Sequence, residues 1–331
     1  MKLYPETSGP AVDSLIQFST TVASALQNER PVVALESTVI AHGLPRPHNL
    51  DTALECEAVI AQSGGVPATV GIVAGIPTIG LSREQLAQFA SGHAPDGGTI
   101  EKVNLSNLSA VIAKHSWGAT TVAGTIRIAT CGGKAFDQAP RPLVFATGGI
   151  GGVHRGAETT FDISADLTAL ATMQIICVCA GAKAILDLPK TVEYLETMGV
   201  PIVGYKTDEF PAFYSRKSGL SVDAQVDSSE QAAELALNHW RTGGRGAVLV
   251  CVPIPEQFQL PAEEVDKMSQ EAVEEAARLQ IKGKAVTPFV LSRLVELSGG
   301  ATLKANVALL RQNALVGSAI AKAITAVPGL R

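Results

Sequence analysis

Charge is scarce in this sequence, and so are aromatic rings: Asp, Glu, Lys and Arg make up 17% of its 331 residues and aromatic residues 5%. That deficit argues against an aromatic-lined binding module and for small-residue packing of helices on a sheet, and it points to a buried subunit interface. No basic block stands out. Lys and Arg number 26 against 31 Asp and Glu, a formal charge of -5, which excludes a nucleic-acid polymer as partner. Long apolar runs are missing too. Met173 to Ala182 and Ala247 to Val252 fall short of the roughly 18 to 20 residues that cross a bilayer, so a soluble protein without a membrane role is expected. Met1 to Asp13 carries Glu6 and Asp13 and lacks a basic region followed by an apolar core, so no secretory signal is read there and the cytoplasm is the expected compartment. Cys56, Cys131, Cys177, Cys179 and Cys251 form an odd set with no C-x-x-C pair. They read as buried free thiols rather than disulfides or zinc ligands.

What the chain does have is apolar residues, 46% of the total, enough for one large core or two moderate ones. Short β-branched runs, Pro31 to Glu36, Ala68 to Val73, Leu143 to Ala146, Ile175 to Ala180, Ile202 to Tyr205 and Ala247 to Val252, predict strands buried on both faces. Helical patterns separate them. Ser82 opens one, with Gln85 placed to close a capping box and Leu81 and Leu86 at the staple positions. Another runs from Pro189 to Gly199 as a crossover helix. Asn49 to Ser63, Ser229 to Trp240, Glu263 to Gln280, Pro288 to Leu297 and Lys304 to Ala326 predict further helices and make the last third mainly helical. The rhythm predicts a three-layer α/β/α fold with a largely parallel central sheet and a helical C-terminal part. We read residues 1–331 as a single domain, residues 1–30 being an N-terminal helical extension and Gly132 to Pro142 an exposed excursion.

Four segments offer chemistry. Glu36 ends the first apolar strand, where open α/β sheets collect ligands and a carboxylate suits acid–base work; a solvated strand-end Glu is the plainer alternative. Thr147 to Gly156, T-G-G-I-G-G-V-H-R-G, follows another strand. Its glycines are expected at positive φ, turning N–H groups toward an anion, unless they serve only close packing. It matches neither a dinucleotide fingerprint nor a P-loop, which weakens nucleotide-cofactor and ATP chemistry. Asp162-x-Ser164-x-Asp166 either caps a helix or offers oxygens to a divalent ion. Lys183 follows the apolar run Ile176 to Ala182. Desolvation there is expected to lower its pKa and make it a Schiff-base nucleophile, with a snorkelling or ion-paired lysine as the alternative.

These segments together resemble the pseudouridine-5'-phosphate glycosidase family, also described as indigoidine synthase A-like. The resemblance runs through Ala34-Leu35-Glu36-Ser37-Thr38, Gly64 to Thr69, Gly118 to Ala123, Phe145 to Leu167, Cys179 to Lys183, Thr207 to Phe213, Pro253-Ile254-Pro255, Gly283 to Phe289 and Asn306. It leaves out only the first 30 residues and the Gly132 to Pro142 excursion, which lengthens the approach to the glycine block relative to the family pattern.

The resemblance implies reversible cleavage of the C–C glycosidic bond of pseudouridine 5'-phosphate to uracil and ribose 5-phosphate, by a homotrimer using Mn2+. It makes Lys183 the nucleophile at C1' and Glu36 the proton donor, and it puts the metal on Asp162. Substrate contacts fall on Lys102, Val122, Ser164, Ala165 and Asp166, with Thr147, His154 and Asn306 lining the same pocket. Lys102 read alone is a surface lysine and Val122 a core residue. His42 is a further candidate, for orienting Glu36. No fused sugar-kinase portion is expected. A related C-glycosidase or lyase acting on another base, and a silent sugar-phosphate-binding homologue, are the alternatives; retention of both Glu36 and Lys183 argues against the second, since binding alone requires neither.

Overall fold

A computed structural model describes residues 15–132, 143–281, 283 and 286–327. Nearly all of the Gly132 to Pro142 excursion, and the first residues of the N-terminal extension, lie outside the described residues.

The strands are β1 (Gln17–Phe18), β2 (Val32–Leu35), β3 (Val66–Val73), β4 (Ile76–Ile79), β5 (Glu101–Val103), β6 (Gly118–Thr120), β7 (Val144–Ala146), β8 (Ile176–Cys179), β9 (Ile202–Tyr205), β10 (Ala224–Val226) and β11 (Val248–Cys251). The helices are α1 (Thr20–Gln27), α2 (His48–Gln62), α3 (Arg83–Ser91), α4 (Leu108–Ala113), α5 (Val122–Gly132), α6 (Ala157–Thr160), α7 (Ala165–Thr172), α8 (Leu188–Thr197), α9 (Ser229–Arg241), α10 (Ala262–Arg278), α11 (Val286–Leu297) and α12 (Ala301–Thr325).

The sheet runs β1-β4-β3-β2-β7-β8-β11-β9-β10. From β3 to β10 every neighbouring pair is parallel, with Ala34 of β2 between Ala68 of β3 and Phe145 of β7. These strands are buried on both faces, which is why they read as unbroken apolar runs. α12 packs along α2 and α9 over β2, β7 and β8, while α5 and α7 pack together with α5 reaching β2 to β4. Three layers result, as the alternation predicts.

The exception to parallel pairing is local. β3 spans eight residues: its first half pairs with β2, and its second half pairs antiparallel with β4 and β6. β6 in turn pairs parallel with β5, which carries Lys102. This small wing, and the π-helical turn Val39–Gly43 after β2, went unpredicted. The helix starts fared better. Ser82 and Gln85 close a reciprocal capping box on α3, and Leu81 and Leu86 are both buried. None of the five cysteines forms a disulfide, and all but Cys131 are buried.

Candidate active site

Sheet order brings two strand ends together. Glu36 leaves β2 and Thr147 leaves its neighbour β7, and the Thr147 hydroxyl donates a hydrogen bond to Glu36 Oε1. Glu36 is only 9% exposed. Burial pushes its pKa up; the nearby Lys183 ammonium and the Thr147 hydrogen bond pull it back, Asp166 raises it and Lys102 lowers it. A carboxyl held in that balance keeps a proton to give at higher pH than an ordinary glutamic acid.

Lys183 lies four residues beyond the end of β8, in a turn whose main chain is tied to the glycine loop. Its N–H donates to the Ile150 carbonyl and its Nζ donates to the Gly149 carbonyl at 2.8 Å. Glu36 and Lys183 open into one cavity of about 290 Å³ at the carboxyl ends of the strands. Lys102, Val122, His154, Asp162, Ser164, Ala165, Asp166 and Asn306 line the same cavity. Thr147 is buried behind Glu36 rather than on the cavity wall.

The glycine block corrects an expectation. Gly148, Gly149, Gly151 and Gly152 are absent from the positive-φ positions, where Gly156 and Gly181 are found. Their role is close approach. A Cβ on Gly149 would sit 2.6 Å from the Phe213 ring, one on Gly151 2.2 Å from Ser164 Oγ, and one on Gly152 2.4 Å from Thr191 Oγ1. The loop is thus clamped between α7, α8 and the Lys183 turn.

Asp166 supplies much of the clamp. Its Oδ2 accepts from Gly151 N at 2.8 Å and its Oδ1 from Ala123 N at 2.9 Å, fastening the loop to the start of α5. Ser164 is the N-cap of α7, its Oγ accepting from Asp166 N, so in Asp162-x-Ser164-x-Asp166 the capping reading describes the last two positions. Asp162 stands apart in the preceding loop with its side chain 51% exposed and Oδ2 4.0 Å from His154 Nδ1. Burial lowers the His154 pKa, Asp162 opposes that, and Lys183 and Lys102 reinforce it.

Among the described residues no group of three or more His, Cys, Asp or Glu side chains stands ready to hold a metal ion. A lone exposed carboxylate at the cavity suits a hard divalent cation that keeps most of its own water, and it does not make a dry cage.

Sequence reasoning missed Asn313. On α12, it is fully buried and its Nδ2 donates to the Thr147 carbonyl at 2.7 Å, fixing the start of the glycine loop. An amide within an apolar helix was the available signal. The role expected for His42 is not what the structure shows: its Nε2 is buried without a hydrogen-bond partner among the described residues, so it does not orient Glu36.

Sheet and cavity together define an α/β protein with a lysine and a buried carboxyl facing a space of small-molecule size. The profile of the indigoidine synthase A-like protein family matches residues 21–323, and the chain belongs to that family. It is 47% identical to the pseudouridine-5'-phosphate glycosidase of Caldanaerobacter subterraneus over 94% of this chain and 97% of that one. It is also 47% identical to the Escherichia coli protein of that description, over 93% and 95%. Among solved structures, prealnumycin C-glycosynthase AlnA, in complex with ribulose 5-phosphate, superposes with a TM-score of 0.84 at 38% identity, covering 96% of this chain and 99% of that one. An indigoidine synthase A-like protein from Thermotoga maritima gives 0.82 at 33% identity, covering 94% and 97%.

Proposed function

We propose that this chain is a pseudouridine-5'-phosphate glycosidase, converting pseudouridine 5'-phosphate and water to uracil and ribose 5-phosphate, reversibly. One observation carries the reading: a buried carboxyl of raised pKa and a lysine amine, from separate strand ends, enter one cavity beside a clamped glycine loop. The activity named for the relatives, at 47% identity over nearly the whole of both chains, supports it.

The chemistry explains the residue types. A base bonded through carbon is a poor leaving group, so a pair of carboxylates acting as in ordinary glycoside hydrolysis is inadequate. Glu36 gives its proton to the ribose ring oxygen as the C1'–O4' bond breaks, and the unprotonated Lys183 amine bonds to C1'. The secondary ammonium so formed returns a proton to the Glu36 carboxylate, which frees the nitrogen lone pair, and the C1'–C5 bond then breaks. Its electron pair leaves with uracil C5, which takes up a proton, while the nitrogen lone pair closes a C1'=N+ iminium. Water adds to the iminium, releasing ribose 5-phosphate and restoring the amine.

Thr147 holds the Glu36 carboxyl, and Asp166 holds the glycine loop against α5. Val122, Ser164 and Ala165 present helix N-termini, which with Lys102 take the phosphate. His154 and Asn306 line the wall beside them. Asp162 would hold Mn2+, whose charge helps neutralise and orient the substrate phosphate. In this reading the chain works as a homotrimer in the cytoplasm; no helix among the described residues is long and apolar enough to cross a membrane.

Incubation with pseudouridine 5'-phosphate and manganese tests the proposal: uracil released in step with ribose 5-phosphate is expected, and no uracil with folded protein overturns it. The likeness to a C-glycosynthase favours one second reading, a C-glycosidase acting on another base. Comparing several C-nucleoside phosphates in one assay separates the two.

A further inference from the structure

Val70 lies where β3 changes partners. The parallel pairing with β2 ends at Leu35 opposite Thr69, and the antiparallel pairing with β6 begins at Ala119 opposite Gly71. At that fork the Val70 carbonyl accepts from two hydroxyls, Ser37 Oγ at 2.6 Å and Thr120 Oγ1 at 2.8 Å. Ser37 Oγ in turn accepts from Thr120 N at 2.9 Å, so it stands as a bridge between the two strand ends. Thr125, in the first turn of α5, has its Oγ1 2.8 Å from Thr120 Oγ1 and is the donor of that pair, since the Thr120 proton is committed to Val70. Thr38 adds a second tie, its hydroxyl donating to the Ala119 carbonyl at 3.2 Å. Ser37, Thr120 and Thr125 are all 0% exposed.

The residues that these hydroxyls fasten are the reactive ones. Ser37 directly follows Glu36, and Thr120 stands two positions before Val122. Thr121 N donates to the Val103 carbonyl at 2.9 Å, next to Lys102. Glu36, Thr38, Lys102 and Val122 all line the one cavity. The acid and the start of α5, which takes the phosphate in the proposed function, are thus tied to a single buried carbonyl. Resting on the glycosidase reading, we infer that Ser37 and Thr120 are positioning residues that hold the Glu36 carboxyl at a fixed reach from the phosphate-binding start of α5, so that a substrate seated by its phosphate brings its ribose ring oxygen to the acid. A displacement of about 1 Å between the two costs on the order of 100-fold in rate while the contacts to the phosphate persist.

The test uses Thr120→Val and Ser37→Ala, which each remove one hydroxyl, and Thr120→Ser, which keeps it. The folded fraction is taken from denaturant unfolding and kcat for pseudouridine 5'-phosphate is expressed per folded chain. Thr120→Val is expected to lose about 10–100-fold in kcat with KM within about threefold of the wild type. Ser37→Ala is expected to lose about 3–30-fold in the same way, and Thr120→Ser to stay within about threefold of the wild type. Borohydride trapping of ribose 5-phosphate on Lys183 stays at the wild-type level in all three.

Four results overturn the role. Unchanged kcat per folded chain in Thr120→Val or Ser37→Ala would mean that the hydroxyls only hold the sheet. A raised KM with unchanged kcat would make them part of the phosphate site, and a Thr120→Ser as impaired as Thr120→Val would take the hydroxyl out of the argument. Trapping that falls as far as kcat would mean that the whole site has collapsed. Ser37→Ala leaves the Thr120 hydroxyl on the carbonyl and decides where Thr120→Val fails to fold. A wild type that releases no uracil instead overturns the glycosidase reading on which the role rests.

Discussion

Glu36 has to be both a donor and a buried group, and those two demands separate in measurements. As the acid it must be protonated, so wild-type activity is expected to decline on the alkaline side as Glu36 ionises, while its raised pKa carries that decline to higher pH than an ordinary glutamic acid would. Glu36→Gln is expected to lower kcat by about 10²–10⁴-fold and to abolish that alkaline limb in the residual rate. Stability moves the other way. A folded-state pKa above the unfolded one gives a contribution fully present below the unfolded value of 4.5 and lost as pH rises through the folded value. Melting curves should therefore show Glu36→Gln more stable than the wild type at pH 8, with the advantage vanishing near pH 4. Equal melting temperatures at both pH values would mean that the carboxyl is not buried at a cost. Asp162 is exposed and makes no bond to the reacting atoms in this account, so Asp162→Asn is expected to raise KM for pseudouridine 5'-phosphate about tenfold and remove the response to manganese, with kcat less affected. A variant that loses kcat instead would move the metal into the bond-making step. At this scale Glu36 and Lys183 were legible because their neighbours in sequence are apolar. Asn313 was not, because its meaning comes from Thr147, distant in sequence.

Elements were readable where local pattern and tertiary burial agree. β2, β7, β8 and β11 are covered on both faces and appear as continuous apolar runs, and Ser82 with Gln85 carries its own start signal. β4, β5 and β6 were not readable: they have three or four residues, β4 contains Pro77, and β5 exposes part of Lys102. Their pairing is decided by the change of partners halfway along β3, which no local pattern reports. The glycine loop shows the same limit. Its glycines were evident, but what they avoid, the Phe213 ring, Ser164 and Thr191, is known only from packing. Gly151→Ala tests that packing. A Cβ there meets Ser164 and Asp166, and the substitution is expected to cost about 1–3 kcal/mol in denaturant unfolding, with a marked fall in kcat as Gly151 N shifts from Asp166. A stable, fully active Gly151→Ala protein would show that the loop is not clamped.

The whole molecule places a small polar site at the carboxyl edge of a charge-poor body, with a net charge of -5. An anionic substrate must then be drawn by local charge, Lys102 and Lys183, rather than by the field of the whole chain. The low charge content is also what led to an expected subunit interface. Sedimentation equilibrium should return three times the chain mass of 34.3 kDa; a monomer would remove the trimer and leave the site argument intact. The order of layers was legible from the strand and helix rhythm, and family membership from motifs spread over the chain. How the parts meet around one cavity was not.

The account turns on whether the Lys183 amine bonds to the sugar carbon. Wild-type protein treated with ribose 5-phosphate and borohydride, then digested and analysed by mass spectrometry, reads this directly. The peptide bearing Lys183 is expected to gain the mass of ribose 5-phosphate less one water and plus two hydrogens. The same peptide unmodified, from a protein that still releases uracil, would contradict the account.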